Sequence, residues 1–164
     1  MKDKVKQIFA EIWHPTTEWC YFIAFVLKEK LPREHGVVPA LLRTIREMLP
    51  SSKLTFLGLD KNKITDVEVI QLAKALPNTR LNWIWLNNNQ ITDVGMVKLA
   101  EALPNSKVEQ LYIENNQITD VGAIKLAEVL PSSRLTVLII GGNLITEVGV
   151  TKLMEAFSTS KLIN

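Results

Sequence analysis

Four segments recur along the chain at a fixed interval of 27 residues, and that interval constrains the fold more than any other feature. Leu54, Leu81, Val108 and Leu135 each open a copy of the pattern L-x-x-L-x-L-x-x-N-x-I. The second apolar position holds Leu57, Ile84, Leu111 and Leu138, and the third holds Leu59, Leu86, Ile113 and Ile140. Asn62, Asn89, Asn116 and Asn143 follow, and then Ile64, Ile91, Ile118 and Ile145. A unit of this size cannot bury its own apolar face, so successive units must stack on one another.

Within L-x-x-L-x-L the apolar residues alternate, which predicts a short strand with one buried face. The asparagine three residues later is placed to turn the chain inward. Its amide can bond backbone groups of neighbouring turns that the bend would otherwise leave unpaired, so Asn62, Asn89, Asn116 and Asn143 read as a structural ladder. Thr65, Thr92, Thr119 and Thr146 then stand where a helix should begin, each able to cap an orphan N–H. The Asp or Glu that follows each threonine suits the positive end of the helix dipole. Met96, Leu99, Ala100 and Leu103 share one helix face, spaced by threes and fours. Pro77, Pro104 and Pro131 close the helices and release the chain to the next strand. Ala73, Ala100 and Ala127 are small enough for each helix to lie close to its strand.

The expected architecture is α/β: parallel strands lining a concave face, helices on the convex face. Neighbouring strands sit about 4.8 Å apart, whereas packed helices need about 8–10 Å. The mismatch bends the stack into a short horseshoe.

The period and the run N-N-N-Q-I-T-D-V-G-x-x-K-L-A-E-A-L resemble the ribonuclease-inhibitor-like class of leucine-rich repeats over residues 54–161. The resemblance implies a leucine-rich-repeat solenoid, a scaffold that binds other macromolecules and does no chemistry. In style the chain also resembles the repeat effectors that intracellular bacteria deliver into host cells. That second resemblance implies a location in the cytoplasm, or secretion into a host cytosol. The first copy departs from the pattern at Glu68, where the others have Gly95, Gly122 and Gly149. The fourth departs at Gly141-Gly142 and at Ser158, which replaces the proline.

The pattern divides the chain into a helical cap (1–38), a half-repeat (39–53), and four repeats plus the start of a fifth strand (54–164). Residues 2–13 read as an amphipathic helix, and a second helix runs from Thr16 or Thr17 to Lys30. Both suit the covering of an open core end. Leu31-Pro32-Arg33-Glu34 resembles the opening of an F-box, which would make the chain a ubiquitin-ligase adaptor docking through its N-terminal helices. Gly36 and Pro39 interrupt the helix that motif requires. At the other end Leu135–Ile140 is an edge strand rich in β-branched residues and free of blunting charge, so a homodimer or self-assembling scaffold through this edge is expected as an alternative.

Composition excludes several classes of function. Residues 1–53 carry nine basic against six acidic residues, and residues 54–164 carry ten against eleven, so the repeats lack the basic face of a nucleic-acid binder. The longest apolar run, Trp19–Leu27, is far shorter than the roughly 20 residues of a membrane span. Cys20 stands alone among Trp19, Tyr21 and Phe22, reading as a buried apolar residue and ruling out a disulfide framework. His14 and His35 have no nucleophile or metal-ligand spacing beside them. Gly141-Gly142 lacks the lysine of a phosphate loop. Asp66, Asp93 and Asp120 are one repeat apart, too sparse for a calcium cage. No enzymatic role, metal or cofactor is expected.

The function should therefore lie on the inner sheet. Strand residues that alternate with the core point to solvent there: Phe56, Trp83, Trp85 and Tyr112 on adjacent strands, extended by Val137 and Ile139. Aromatic rings of this kind dominate interface energetics. Asp60, Lys61, Asn87, Glu109 and Glu114 supply a polar rim. Together these form the expected surface for a protein partner. Val67, Val94, Val121 and Val148 lie opposite the core face of their helices, where they make local contacts between turns or form an outer apolar strip.

Overall fold

The computed structural model describes residues 54–159. The expected cap over 1–38, the half-repeat over 39–53 and the start of a fifth strand lie outside the described residues. Strands and helices alternate as β1 (Phe56–Gly58), α1 (Asp66–Ala75), β2 (Trp83–Trp85), α2 (Asp93–Ala102), β3 (Gln110–Tyr112), α3 (Asp120–Val129), β4 (Val137–Ile139) and α4 (Glu147–Thr159). The four strands form one parallel sheet in the order β1-β2-β3-β4. Register is one full period throughout: Leu57 pairs with Ile84, Ile84 with Leu111, and Leu111 with Leu138. Strands of three residues have no independent stability. Each exists because the coil before it presents a matching edge.

The core lies between sheet and helices. Leu81, Ile84, Leu86, Ile91, Met96, Leu99 and Leu103 are fully buried in the second coil, and Val108, Leu111, Ile113, Ile118, Ala123 and Leu126 repeat the pattern in the third. Burying one such side chain contributes roughly 1.5–3 kcal/mol. The ion pairs on the helices contribute far less. Lys98–Glu101, Lys125–Glu128 and Lys152–Glu155, at 2.7–2.9 Å, are solvent-exposed, and such pairs are worth about 0–1 kcal/mol.

Three side-chain ladders hold the coils in register. The first is the asparagine ladder. Asn116 Nδ2 donates to the carbonyls of Leu86, Ile113 and Glu114, at 3.0–3.2 Å, while its Oδ1 accepts from Ile91 N–H at 3.1 Å. Asn89 does the same work one coil earlier, accepting from Asn62 and Ile64 N–H and donating to Leu59, Leu86 and Asn87 carbonyls. Asn143 accepts from Asn116 and Ile118 N–H and donates to Ile113 and Ile140 carbonyls.

The second ladder differs from expectation. Thr92, Thr119 and Thr146 do cap their helices, each hydroxyl accepting from the N–H two residues on at 3.3 Å. The aspartates, however, serve the following coil and not only their own helix dipole. Asp66 Oδ1 accepts from Thr92 N–H (2.8 Å) and Gly95 N–H (3.0 Å), and Oδ2 accepts from the Thr92 hydroxyl (2.6 Å). Asp93 binds Thr119 and Gly122 in the same way, and Asp120 binds Thr146 and Gly149. Glycine is required here by close approach. A Cβ on Gly95 would stand 2.5 Å from Asp66 Oδ1, and one on Gly149 2.5 Å from Asp120 Oδ1. Glu68 now has its explanation. The sequence has Pro39, not an acid, 27 residues before Asp66, and Glu68 supplies the carboxylate from within its own coil, accepting from Thr65 N–H at 2.8 Å and its hydroxyl at 2.6 Å.

Helix exits follow the prolines with one refinement. Pro77, Pro104 and Pro131 sit inside 3-10 turns (Leu76–Asn78, Leu103–Asn105, Leu130–Ser132) that continue each helix before release. Where Ser158 replaces proline, α4 runs to 13 residues against 10 for the other helices. Thr79, Ser106 and Ser133 then turn the chain, each hydroxyl donating back to a leucine carbonyl at 2.9 Å and accepting from the N–H two residues ahead.

Replacing Asn116 by Ala removes four such bonds from a buried residue. It should cost about 2–4 kcal/mol, at roughly 1 kcal/mol per net bond, read as a fall in denaturant midpoint at unchanged m-value. The hydrogen bonds from the Thr146 hydroxyl and N–H hold the Asp120 carboxyl below the usual carboxylate range. Its stabilising effect is therefore fully present above the unfolded-state value and is lost as pH falls through the lower folded one. In thermal melts from about pH 6 to pH 2, the gap between wild type and Asp120→Asn should narrow as pH falls.

Candidate functional site: the inner face of the sheet

Two rows of side chains face outward from the strands. One runs Phe56, Trp83, Gln110, Val137, and the other Gly58, Trp85, Tyr112, Ile139. The aromatic residues do come together. Phe56 stands edge-on to Trp85 with centroids 5.0 Å apart and to Trp83 at 6.5 Å, and Trp85 lies 5.4 Å from Tyr112. Contacts at these separations are worth about 0.5–1.5 kcal/mol beyond the area buried.

The four rings are not equally available. Trp83 is 45% exposed and offers the largest aromatic surface. Trp85 and Tyr112 are half-buried, and the Tyr112 hydroxyl donates to Gln110 Oε1 at 3.2 Å. Phe56, expected to face solvent, is buried instead. Gly58 has no side chain beside it, so the indole of Trp85 leans across the vacant position onto the Phe56 ring. Alternation correctly assigns Phe56 to the outer row but cannot register a neighbour's lean. Phe56 supports the cluster from beneath and is not itself a contact surface.

The rim also divides. Asp60 Oδ1 accepts from Asn87 N–H at 2.7 Å, and Asn87 Oδ1 accepts from Glu114 N–H at 2.8 Å. These oxygens form the third ladder between coils, so Asp60 and Asn87 are corrected from partner-facing rim to internal links. Burial holds the Asp60 carboxyl above its ordinary value against the pull of the Asn87 N–H. Lys61 and Glu109 are exposed, and Glu114 is half-exposed. Lys61, Asn88 and Asn115 share a left-handed backbone at φ 52–58°, and Gly142 holds the corresponding place at φ 68°. Val137 is half-buried and Ile139 is 36% exposed.

On the opposite side of the molecule Val67, Val94, Val121 and Val148 are each about 60% exposed, so they form an outer strip and do not make the local contacts between turns. Among the described residues no group of His, Cys, Asp and Glu could hold a metal ion. None of the described helices is long and apolar enough to cross a membrane.

The stacked strand–asparagine–helix coils define the leucine-rich-repeat α/β solenoid. Residues 79–127 match the family model described as Leucine Rich repeats (2 copies). Among solved structures, that of the leiomodin-1 actin-binding site 2 (ABS2) superposes with a TM-score of 0.66 at 18% identity, over 79% of this chain and 76% of that one. No curated protein matches the chain. A likeness at this identity carries the fold.

Because the folded state holds Asp60 against desolvation, its charge is a cost above the raised folded value, and the preference disappears below the unfolded one. Asparagine already fills the equivalent place at Asn87, with the same acceptor geometry. Asp60→Asn should therefore raise the melting temperature at pH 7 or leave it unchanged, and a clear fall would count against the linking role.

Proposed function

We propose that the chain is a non-enzymatic interaction module that captures a protein partner on the inner face of its sheet. The observation carrying this reading is Trp83, a large aromatic 45% exposed in the middle of a rigid parallel sheet. Trp85 and Tyr112 flank it, Ile139 extends the apolar surface, and Lys61, Glu109 and Glu114 surround it with charge. A half-exposed aromatic anchor within a charged border is the composition of interface hot spots. Pre-organisation adds to it, since side chains on a hydrogen-bonded sheet lose little freedom on binding. The fold agrees: a similarly built region of leiomodin-1 is an actin-binding site. The chain would act by occupancy, blocking or recruiting its target.

The setting that the sequence resemblance favours is a ribonuclease-inhibitor-like repeat protein of the bacterial effector type, working in the cytoplasm or in a host cytosol. The second reading is an adaptor that uses its N-terminal helices to dock a ubiquitin ligase. The motif Leu31-Pro32-Arg33-Glu34 speaks for it, and Gly36 and Pro39 speak against it.

Trp83→Ala is the discriminating variant, because removing an exposed ring spares the core. With the partner identified by cross-linking in lysate and then purified, Trp83→Ala should weaken binding by about 30-fold or more, the loss of one hot spot of roughly 2 kcal/mol. Unchanged affinity would place the partner on another surface. Trp85→Ala should weaken binding and lower the melting temperature together, since Trp85 also packs on Phe56 and Tyr112.

A further inference from the structure

The fourth coil does not end the stack as the first three coils would continue it. Leu144, Val150 and Met154 are 62%, 46% and 67% exposed. The same places one coil earlier hold exposed Gln117, buried Ala123 and buried Ala127. Apolar side chains thus appear where the pattern has a polar or a small residue, on a face that a terminal coil should make polar. At the same time two of the handles that bind a parallel successor are altered. Gly141 replaces Asp60 and Asn87, whose oxygens accept from the next coil's backbone. Glu147 replaces Asp66, Asp93 and Asp120, whose carboxylates cap the next coil's helix. The coil has gained apolar cover to bury and lost part of the means of holding another coil of the same kind.

What remains is the strand edge. Glu109 carbonyl and Ile113 N–H face the fourth coil, bonded to Thr136 and Val137 N–H and to the Ile139 carbonyl. By the same register the Thr136 carbonyl, both backbone groups of Leu138, and Ile140 N–H point away from the sheet, and nothing among the described residues bonds them. This set is self-complementary. Turned by a two-fold axis through Leu138, each Leu138 N–H meets the Leu138 carbonyl of a second copy, and each Ile140 N–H meets a Thr136 carbonyl. Four hydrogen bonds form and none of these groups is left over.

We infer that β4 pairs antiparallel with β4 of a second copy of this chain, centred on Leu138, to give an isologous dimer. The sheet becomes a continuous eight strands, four from each copy. The axis stands perpendicular to the sheet, so inner face continues into inner face, and α4 meets α4 across Val150 and Met154. Val137 of one copy lies opposite Ile139 of the other in the close, non-hydrogen-bonded pairing, at about 4.5 Å between Cα atoms. The contact closes on itself and propagates no further. It is independent of what the inner face binds.

Sedimentation equilibrium on the full chain should show a monomer–dimer equilibrium below about 100 μM. Val150→Lys with Met154→Lys, both at exposed positions, should raise the dissociation constant about tenfold or more by setting like charges together. The pairing itself is tested in a Cys20→Ser background. Val137→Cys with Ile139→Cys should give a covalent dimer under mild oxidation, and Ile139→Cys alone should give little, because residue 139 does not face its own counterpart. A strictly monomeric wild-type chain at that concentration overturns the proposal. So does an association that persists in the lysine variant, or one that yields equal cross-linking from the single cysteine.

Discussion

The structure depends on one kind of bond: a side chain of one coil satisfying the backbone of another. Each coil must turn sharply twice, and each turn strands backbone N–H and carbonyl groups inside the protein. Buried and unpaired, such a group costs about 1–3 kcal/mol. Asn89, Asn116 and Asn143 settle several at once by reaching back to the preceding strand. Asp66, Asp93 and Asp120 settle others by reaching forward to the next helix. The apolar core supplies the larger free energy, but apolar burial is indifferent to a slip along the sheet. The polar ladders are not, and they fix the register.

The same device decides what the inner face can offer. Groups that hold coils together cannot also greet a partner, and Asp60 and Asn87 are committed in this way. The available chemistry is what the ladders leave over: the indole of Trp83, the half-buried rings beside it, and the charges of Lys61, Glu109 and Glu114. A binding surface on such a scaffold is variable at the outward strand positions and fixed everywhere else. That is consistent with the rows read across the strands, where Phe56, Trp83, Gln110 and Val137 share no chemistry while Leu57, Ile84, Leu111 and Leu138 do.

How far the chain can be read without coordinates follows from the range of the forces involved. The core positions and the asparagines repeat every 27 residues because each answers to identical surroundings, so periodicity alone exposes them. Aspartate repeats equally well, yet spacing does not disclose its partner: a carboxylate at a helix start suits its own dipole, and no local rule reveals that it bonds a threonine 26 residues away. Glu68 and Pro39 hold the missing clue, two departures from the pattern, 29 residues apart, that compensate for each other. Phe56 escapes a sequence reading for a different reason. Its burial depends on the lean of one indole across Gly58, a matter of rotamers that residue spacing does not carry.

The forward reach of the aspartates gives the molecule a direction. A helix start is completed only when the coil before it is already in place, because that coil brings the carboxylate. Assembly should thus run like a zip from the amino-terminal side, with Glu68 as the self-sufficient starter. The genetic corollary is that whole 27-residue units can be duplicated or excised with little disturbance to this hand-over. An insertion of any other length would throw every later carboxylate out of step with its threonine.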